Sequence, residues 1–293
     1  MRLQLVVNPS AGGGRAARLV PAVEAALRAD GHDAVTTPTA SLAHADALAA
    51  QACADDRVVV AMGGDGLVGR LAGAVSAAGG LLALVPGGRG NDFGRALGVP
   101  KDPVAAAHAL ARSTERAVDL GCVRSADGEV PFVGIASVGF DSAVQERVLR
   151  VRLPLGQLVY LYAALGAVAS WRHAGFSGTV DGAPFAHRGW AVAAANSGVY
   201  GGGMRLAPDA SVQDGRLDLV TTAETSRLRF LRSLPRVFSG THVQAESVSV
   251  RPVQVLQLAA DREFRVFADG DPVGRLPCTI SVRPGALRLL LPG

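Results

Sequence analysis

The strongest constraint on the fold is a repeated pairing of a short, unbroken apolar run with a glycine-rich turn. Leu3–Val7 runs into Asn8-Pro9-Ser10-Ala11-Gly12-Gly13-Gly14, and Val58–Met62 into Gly63-Gly64-Asp65-Gly66-Leu67-Val68-Gly69. Leu81–Val85 runs into Pro86-Gly87-Gly88-Arg89-Gly90-Asn91-Asp92-Phe93. Strands that are apolar throughout, rather than at alternate residues, are covered on both faces. Helical patterns lie between them. Arg15–Arg28 carries Leu19, Val20, Val23, Ala26 and Leu27 on one face, Leu42–Ala54 follows Ser41 as N-cap, Leu67–Ala78 follows the second turn, and Asp102 caps a helix through Ala111. Pro21 kinks the first helix or marks its start, and Gly31 suits its stop. Asp33–Thr37 supplies a further strand. This alternation predicts an α/β domain with a parallel sheet over residues 1–121.

Beyond Gly121 the pattern changes. Short strand candidates dominate: Val130–Ile135, Ser177–Val180, Trp190–Ala195, Arg216–Thr221, Val248–Val250, Phe264–Phe267, Thr279–Val282 and Leu287–Leu291. Asp127-Gly128, Asp181-Gly182, Asp214-Gly215 and Asp269-Gly270 are turn signals between them. Helices near 154–171 and 227–238 interrupt. Residues 122–293 therefore read as a mainly antiparallel, β-sandwich-like domain, packed on the first with a cleft between them. Whether Leu287–Leu291 returns to the first domain stays open.

Composition narrows the function classes. With 49% apolar and 18% charged residues over 293 positions, the chain is not disordered, and its 36 glycines follow no three-residue period. The net charge is +4, almost all of the cations being arginine. No basic block or RNP-like aromatic pattern accompanies it, so nucleic acid is not the expected partner; anionic phosphates or an anionic membrane surface suit it. Cys53, Cys122 and Cys278 are widely spaced with no C-x-x-C, which fits a reducing cytoplasm. The N-terminal apolar stretch breaks at Asn8-Pro9 and is no signal-peptide core. Leu153–Trp171 is apolar between Arg152 and Arg172 but contains Pro154, Gln157 and two glycines, so it reads as a buried or interfacial helix rather than a span. Trp171, Trp190, Tyr160 and Tyr162 mark either core packing or a side turned to a membrane. Six histidines stand in no metal-ligand spacing, and there is no G-x-S-x-G elbow.

In an open parallel sheet the three turns gather at the carboxyl ends of the strands, where ligands bind. The first two also open helices, where glycine lets amides reach a phosphate at the positive end of the helix. Gly64–Gly69 fits G-x-G-x-x-G, yet the following strand ends at Val85-Pro86-Gly87 without the acid that would hold a ribose. Asp65 inside the turn would repel a pyrophosphate unless a cation lay between them. The combination points to Mg²⁺ and a nucleoside triphosphate without a Walker A lysine.

These motifs together resemble the diacylglycerol kinase catalytic family, within it the soluble bacterial lipid kinases. Asn8-Pro9-Ser10-Ala11-Gly12 resembles the family's first nucleotide loop, Gly63-Gly64-Asp65-Gly66 its G-G-D-G, and Pro86 through Asn91-Asp92-Phe93 with Arg95 its third loop. Val118-Asp119-Leu120-Gly121 is similar to the segment closing its first domain. Asn196, Tyr200-Gly201-Gly202-Gly203-Met204, Ala207-Pro208 and Asp214-Gly215 follow in order, and Asp269-Gly270-Asp271 resembles its terminal D-G-E. The resemblance implies ATP on Asn8, Pro9, Ser10, Ala11 and Gly12 and on Gly63, Gly64, Asp65, Gly66, Leu67, Val68 and Gly69, with Thr39, Arg89 and Asn91 beside it. It implies a metal held by the Asp214 carboxylate and the carbonyls of Ser211 and Arg216. Asp271 would accept the proton of a lipid hydroxyl, Asp65 would hold Mg²⁺ through water, and Asp269 would orient or ligate. The acceptor would be diacylglycerol or a related lipid at a membrane surface. No stable protein partner is implied, and a homodimer stays open.

Leu67, Gly69, Arg89 and Asp271 depart from the family's usual Thr, Asn, Thr and Glu. Asp271 is shorter than Glu by about 1.5 Å, which matters for a base that must come within about 3 Å of its proton. The Arg89 guanidinium could grip a phosphate. A soluble-substrate kinase of the NAD kinase type and a nucleotide-binding regulator with weakened catalysis are the alternatives.

Overall fold

The computed structural model describes residues 1–150 and 158–292. The first unit is built from β1 (Arg2–Val7), α1 (Ala11–Ala29), β2 (Asp33–Pro38), α2 (Leu42–Ala54), β3 (Val58–Gly63), α3 (Asp65–Ala77), β4 (Leu81–Pro86), α4 (Asp92–Ala96) and α5 (Pro103–Ala109). β2, β1, β3 and β4 lie side by side, all parallel. Leu3, Leu5, Val60, Met62, Ala83 and Val85 face a core shared with Val23 and Leu27 of α1. Val6, Val59, Ala61, Leu82 and Leu84 face the opposite core, with Leu71 and Val75 of α3. Both faces are thus covered, which is why these strands are apolar at every position. The helix of α1 keeps Pro21 inside it and becomes regular only after Gly12, Gly13 and Gly14, all at positive φ.

The remainder holds β5 (Thr114–Ser125), β6 (Gly128–Phe132), β7 (Ile135–Gly139), α6 (Phe140–Arg150), α7 (Leu158–Ser170), β8 (Ala174–Val180), β9 (Ala183–Ala195), β10 (Leu217–Ala223) and α8 (Arg227–Ser239). It continues with β11 (Val248–Val253), β12 (Val255–Ala260), β13 (Arg265–Ala268), β14 (Asp271–Arg275) and β15 (Cys278–Leu291). All strand pairs within β5 to β15 are antiparallel among the described residues. The expected fold class is borne out: a parallel α/β unit followed by an antiparallel, β-sandwich-like one.

Three element readings need correction. Val130–Ile135 is not one strand: β6 ends at Phe132 and β7 begins at Ile135, and the amides at the break turn to a carboxylate described below. Thr279–Val282 and Leu287–Leu291 are one long strand, β15, with a register shift between Arg283 and Leu287 against β5. Its first part pairs with β12, while Arg288 and Leu289 lie parallel to Leu81 and Leu82 of β4. β5, β12 and β14 carried no recognised strand pattern. The helix read at 154–171 is described from Leu158; its first residues lie outside the described ones. Trp171 and Trp190 are buried against Phe140 and Phe230, the core alternative, whereas Tyr162 is exposed. No helix of the described residues is long and apolar enough to cross a membrane.

The two units meet along α3. Gly66, Gly69 and Gly73 form one ridge of that helix, and the second unit lies against it. A Cβ on Gly73 would stand 2.5 Å from Pro131 Cγ, and one on Gly69 would stand 2.9 Å from Asp269 Oδ2. Replacing Gly73 by valine therefore forces β6 away from α3. The expected cost is about 1–3 kcal/mol, read as a lower urea midpoint. Ala77→Val, one turn on and exposed, should cost only about 0.5 kcal/mol. Equal midpoints for the two variants would contradict this contact.

Candidate functional site

The three glycine turns meet at the carboxyl end of the parallel strands. Asn8 N–H donates to Met62 O (3.0 Å), and Gly87 and Gly88 N–H both donate to Gly63 O (2.9 and 3.0 Å). A Cβ on Gly12 would stand 2.7 Å from Gly87 O, and one on Gly88 would stand 2.5 Å from Gly64 Cα. Only glycine lets the backbones close up this far. Thr39, at the end of β2, donates its N–H to Val7 O (2.7 Å) and so joins the same edge.

Several side chains expected to face a ligand are spent on the turns themselves. Asn8 Oδ1 accepts from Ser10 N–H and Ser10 Oγ–H (3.1 and 2.8 Å). Asn91, at φ 50°, accepts from Gly88 N–H and donates to Gly88 O, each at 2.9 Å. Leu67 and Val68 face the core, and Leu67 packs beneath Gly63. Position 67 therefore presents only its backbone, and the hydroxyl missing there is not replaced by any side-chain group of this residue. Pro9, Ser10 and Arg89 are exposed, Ala11 is buried, and the Arg89 guanidinium lies over Gly13. What the turns offer is the first turn of α3, where the amides of Asp65, Gly66 and Leu67 have no intrahelical acceptor.

Carboxylates crowd this helix end. Asp65 Oδ1 accepts from Phe93 N–H (3.1 Å), and burial, with Asp92 nearby, raises its carboxyl above the usual range despite that bond. Asp92 is buried; its Oδ2 accepts from Gly202 N–H (2.7 Å), while its Oδ1 has no hydrogen-bond partner. Asp271 opens β14, and its Oδ2 lies 3.3 Å from the Cβ position of Gly66. The residue is exposed, and the partial shielding of its carboxyl against α3 raises it as well. Asp269 and Gly270 form the hairpin turn at φ 52° and 91°. The Asp269 carboxylate accepts from the N–H groups of Val133, Gly134 and Ile135 (2.8, 2.8 and 3.2 Å), the break between β6 and β7. Burial lifts it to about 7; the three amide bonds oppose that shift and the Asp65 charge adds to it.

Ser211, Asp214 and Arg216 do not join this group. Asp214 Oδ1 accepts from Arg216 N–H (3.0 Å), and Ser211 Oγ accepts from Gln213 N–H (3.3 Å). Their loop is tied to buried Asp119, whose Oδ2 accepts from Gly215 N–H and Oδ1 from Gly285 N–H, both at 2.7 Å. Asn196 carries the tie onward, donating to Asp119 O (3.0 Å) and Val133 O (2.9 Å). Among the described residues no group of three or more His, Cys, Asp or Glu is arranged to hold a metal. Asp92, Asp119 and Asn196 are buried polar residues beside these turns and loops to which motif reading gave no role. The signal for Asp119 is a polar residue inside an apolar run, Val118-Asp119-Leu120.

Parallel strands whose glycine turns close on one helix end, beside a carboxylate hairpin from an antiparallel unit, define a two-domain kinase architecture. The diacylglycerol kinase catalytic domain profile matches residues 2–123, and the YegS C-terminal NAD kinase beta sandwich-like domain profile matches residues 134–291. A diacylglycerol kinase of Mycobacterium tuberculosis is 32% identical over 295 residues, covering 99% of this chain and 95% of the relative. A diacylglycerol kinase of Bacillus subtilis is 24% identical over 281 residues, covering 94% and 91%. The crystal structure of a diacylglycerol kinase from Bacillus anthracis superposes with a TM-score of 0.74 at 20% identity, covering 99% of this chain and 96% of that one, a likeness of fold. The chain belongs to the diacylglycerol kinase family and is a lipid kinase.

The Asp269 proton is testable through stability. Between the ordinary carboxyl value near 4 and about 7, the folded chain keeps a proton that the unfolded chain has released. The stability contributed by that proton is present below pH ~4 and is lost as pH rises through about 7. The melting temperature of the protein, relative to that of Asp269→Asn, is expected to fall across this window and to level off above it. A difference that does not vary with pH would show that Asp269 is ionised throughout.

Proposed function

We propose that the protein transfers the γ-phosphoryl group of ATP to the hydroxyl of diacylglycerol or a closely related lipid. The observation that carries this reading is the meeting of Asp271 with the first turn of α3. The residue expected to take the acceptor's proton lies against the amides expected to hold the phosphates. In-line transfer needs this juxtaposition, because positioning and charge stabilisation supply most of the catalysis.

A cleft of about 1140 Å³ leads to that point. One wall is the ridge of α3, with Gly66, Gly69, Gly73 and Ala77, and the other includes Pro131, Ala268, Pro272 and Val273. Among charged residues such as Arg70, Glu129, Arg275 and Arg283, these small and apolar ones suit a lipid glycerol backbone and its first acyl carbons, with Asp271 in the same lining. The raised carboxyl of Asp271 makes it a stronger base than an unperturbed aspartate when ionised. Asp269 holds the hairpin in register through its three amide bonds and so aims Asp271.

The residues fit a divalent cation. Asp92 Oδ1 is a buried carboxylate oxygen without a partner next to Asp65, an arrangement that costs free energy unless a cation or proton meets it. Asp65 and Asp92 would hold the ion, and Asp214 with the carbonyls of Ser211 and Arg216 would hold a second, structural one. Mg²⁺ there supplies charge neutralisation of the phosphates. Arg89, exposed over Gly13, would close on the outer phosphate.

Labelled ATP with Mg²⁺ and a panel of lipid alcohols is expected to yield a lipid phosphate, identified by mass spectrometry. Label in NAD alone would overturn the reading. Asp271→Asn should lower turnover by roughly 10²–10⁴-fold, the range of general-base catalysis, with ATP affinity nearly unchanged. Asp65→Ala should instead weaken Mg²⁺-dependent ATP binding, measured by calorimetry. Undiminished turnover in Asp271→Asn removes it as the base.

A further inference from the structure

Gly201, Gly202 and Gly203 stand in succession at positive φ (60°, 85° and 112°), a run that residues with side chains do not sustain. They form the tip of a closed loop. Tyr200 and Met204 shut its base by exchanging two backbone hydrogen bonds, each of 2.9 Å. The base is fastened to the second unit. Tyr200 packs on the cluster that holds Ile135, Ala193 and Val220, and Arg205 N–H donates to Val237 O (2.9 Å) near the end of α8. The Tyr200 hydroxyl faces Asp141 Oδ2 in the first turn of α6, at 3.4 Å, long for such a bond. Desolvation pushes the Asp141 carboxyl up to about 6 and, helped by the Asp141 charge, holds the Tyr200 phenol well above its ordinary value. The phenol therefore keeps its proton and stays the donor of the pair.

The tip crosses to the first unit. Gly202 N–H donates to Asp92 Oδ2 (2.7 Å), and among the described residues this is the one hydrogen bond that the Asp92 side chain makes. A Cβ on Gly203 would stand 2.5 Å from Arg95 Nη1, so the loop lies flat on the third glycine turn, where Arg95 donates to Gly90 O (3.1 Å). Asp92 and Asp65 flank Gly90, whose Cβ position is 3.4 Å from Asp92 Oδ2 and 3.0 Å from Asp65 Oδ2. Carboxylates this close repel, and Asp92 would relieve the repulsion by rotating its side chain. A donor on Oδ2 blocks that rotation. It leaves Oδ1, buried and unpartnered, as the oxygen on offer.

We infer that the Tyr200–Met204 loop is a positioning element for the divalent cation: the Gly202 amide holds Asp92 Oδ2 and thereby sets Oδ1 for the ion. The inference rests on the reading of Asp65 and Asp92 as cation ligands. It adds that the first unit carries these carboxylates, while a backbone amide of the second unit completes their arrangement. The glycines contribute no side chain, so their run in the sequence is itself the signal of the contact.

The test is Mn²⁺ binding to the full chain without nucleotide, read from the loss of the free-ion EPR signal. Asp92→Ala defines the binding that depends on Asp92. Gly202→Ala should weaken that binding about tenfold, the scale on which losing a group that orients a metal ligand acts. Relief of the strained φ turns the amide away from Oδ2. The matched control is Gly182→Ala in the β8–β9 hairpin. Gly182 has φ 82° against 85° at Gly202, and a Cβ at either position meets nothing within 4 Å. The two variants thus carry the same backbone strain and should melt alike. Gly182→Ala should nevertheless bind Mn²⁺ within about twofold of the parent. Gly202→Asn, a residue that tolerates positive φ, should bind as the parent does. If circular dichroism shows Gly202→Ala unfolded, Gly203→Ala, which strikes Arg95, takes its place with the same expectation. In the Asp92→Ala background the loop variant should have no further effect. Parent-like binding by the loop variant, an equal loss in Gly182→Ala, or a loss that multiplies with that of Asp92→Ala overturns the inference. Parent-like Mn²⁺ binding by Asp92→Ala itself overturns the cation reading of Asp92, and the positioning role with it.

Discussion

The closeness of α3 to the Asp269–Asp271 hairpin is the contact on which the rest of the site depends. A helix normally keeps a neighbour at side-chain distance. Here Gly66, Gly69 and Gly73 remove that spacing along one ridge, so carboxylates of the second unit reach the backbone of the first. Glycine inside a helix costs roughly 0.5–1 kcal/mol relative to alanine. Three on one ridge are a standing cost to α3, offset by the packing that they allow. Without the ridge, the Asp271 carboxylate would stand farther from the first turn of α3, beside which its proposed role needs it.

The hairpin is also anchored from behind. Asp269 takes three amides at the interruption between β6 and β7, Asn196 takes the carbonyls of Val133 and Asp119, and Asp119 fastens the 209–216 loop and the shifted register of β15. Buried polar groups are costly unless satisfied, and the bonds made by Asp269, Asp119 and Asn196 Nδ2 define this arrangement, while Asn196 Oδ1 has no protein partner among the described residues. The two long strands β5 and β15 carry this arrangement back to β4, so one continuous sheet connects the glycine turns to the hairpin. Glycine turns, loop and hairpin are thereby held in one rigid frame, as a reaction controlled by positioning requires.

Much of this was legible in the residues. Strands β1, β3 and β4 declare themselves because burial on both faces leaves no polar position, and the glycine turns mark where backbone must approach backbone. Asp181-Gly182 and Asp269-Gly270 announce tight hairpins, and both adopt the expected positive φ at both positions. What escaped notice has a common cause. β5 and β14 are half-exposed strands rich in Arg, Asp and Gly, whose pairing is decided by partners far away in sequence. The side chains of Asn8, Asn91 and Leu67 lie in motifs that the resemblance assigns to a nucleotide. Only the tertiary structure reveals that two brace their own turns and the third fills the core.

Gly69 and Asp271, read separately, each weaken the resemblance to the family; read together in space, they explain one another. A side chain at 69 would have to occupy the volume that Asp269 now fills, 2.9 Å from the Cβ position. Its absence leaves that volume to the Asp269 carboxylate. An aspartate at 271 lacks one methylene of the glutamate that the family usually has, and so needs a shorter span to cover. The Cβ position of Gly66 stands 3.3 Å from the Asp271 carboxylate, so the shorter side chain still reaches the first turn of α3. In the proposed role of Asp271 as base, the shorter arm has fewer rotatable bonds to fix than a longer one, which lowers the ordering cost of that geometry. Glycine at 69 and aspartate at 271 thus meet at one contact, between the ridge of α3 and the hairpin.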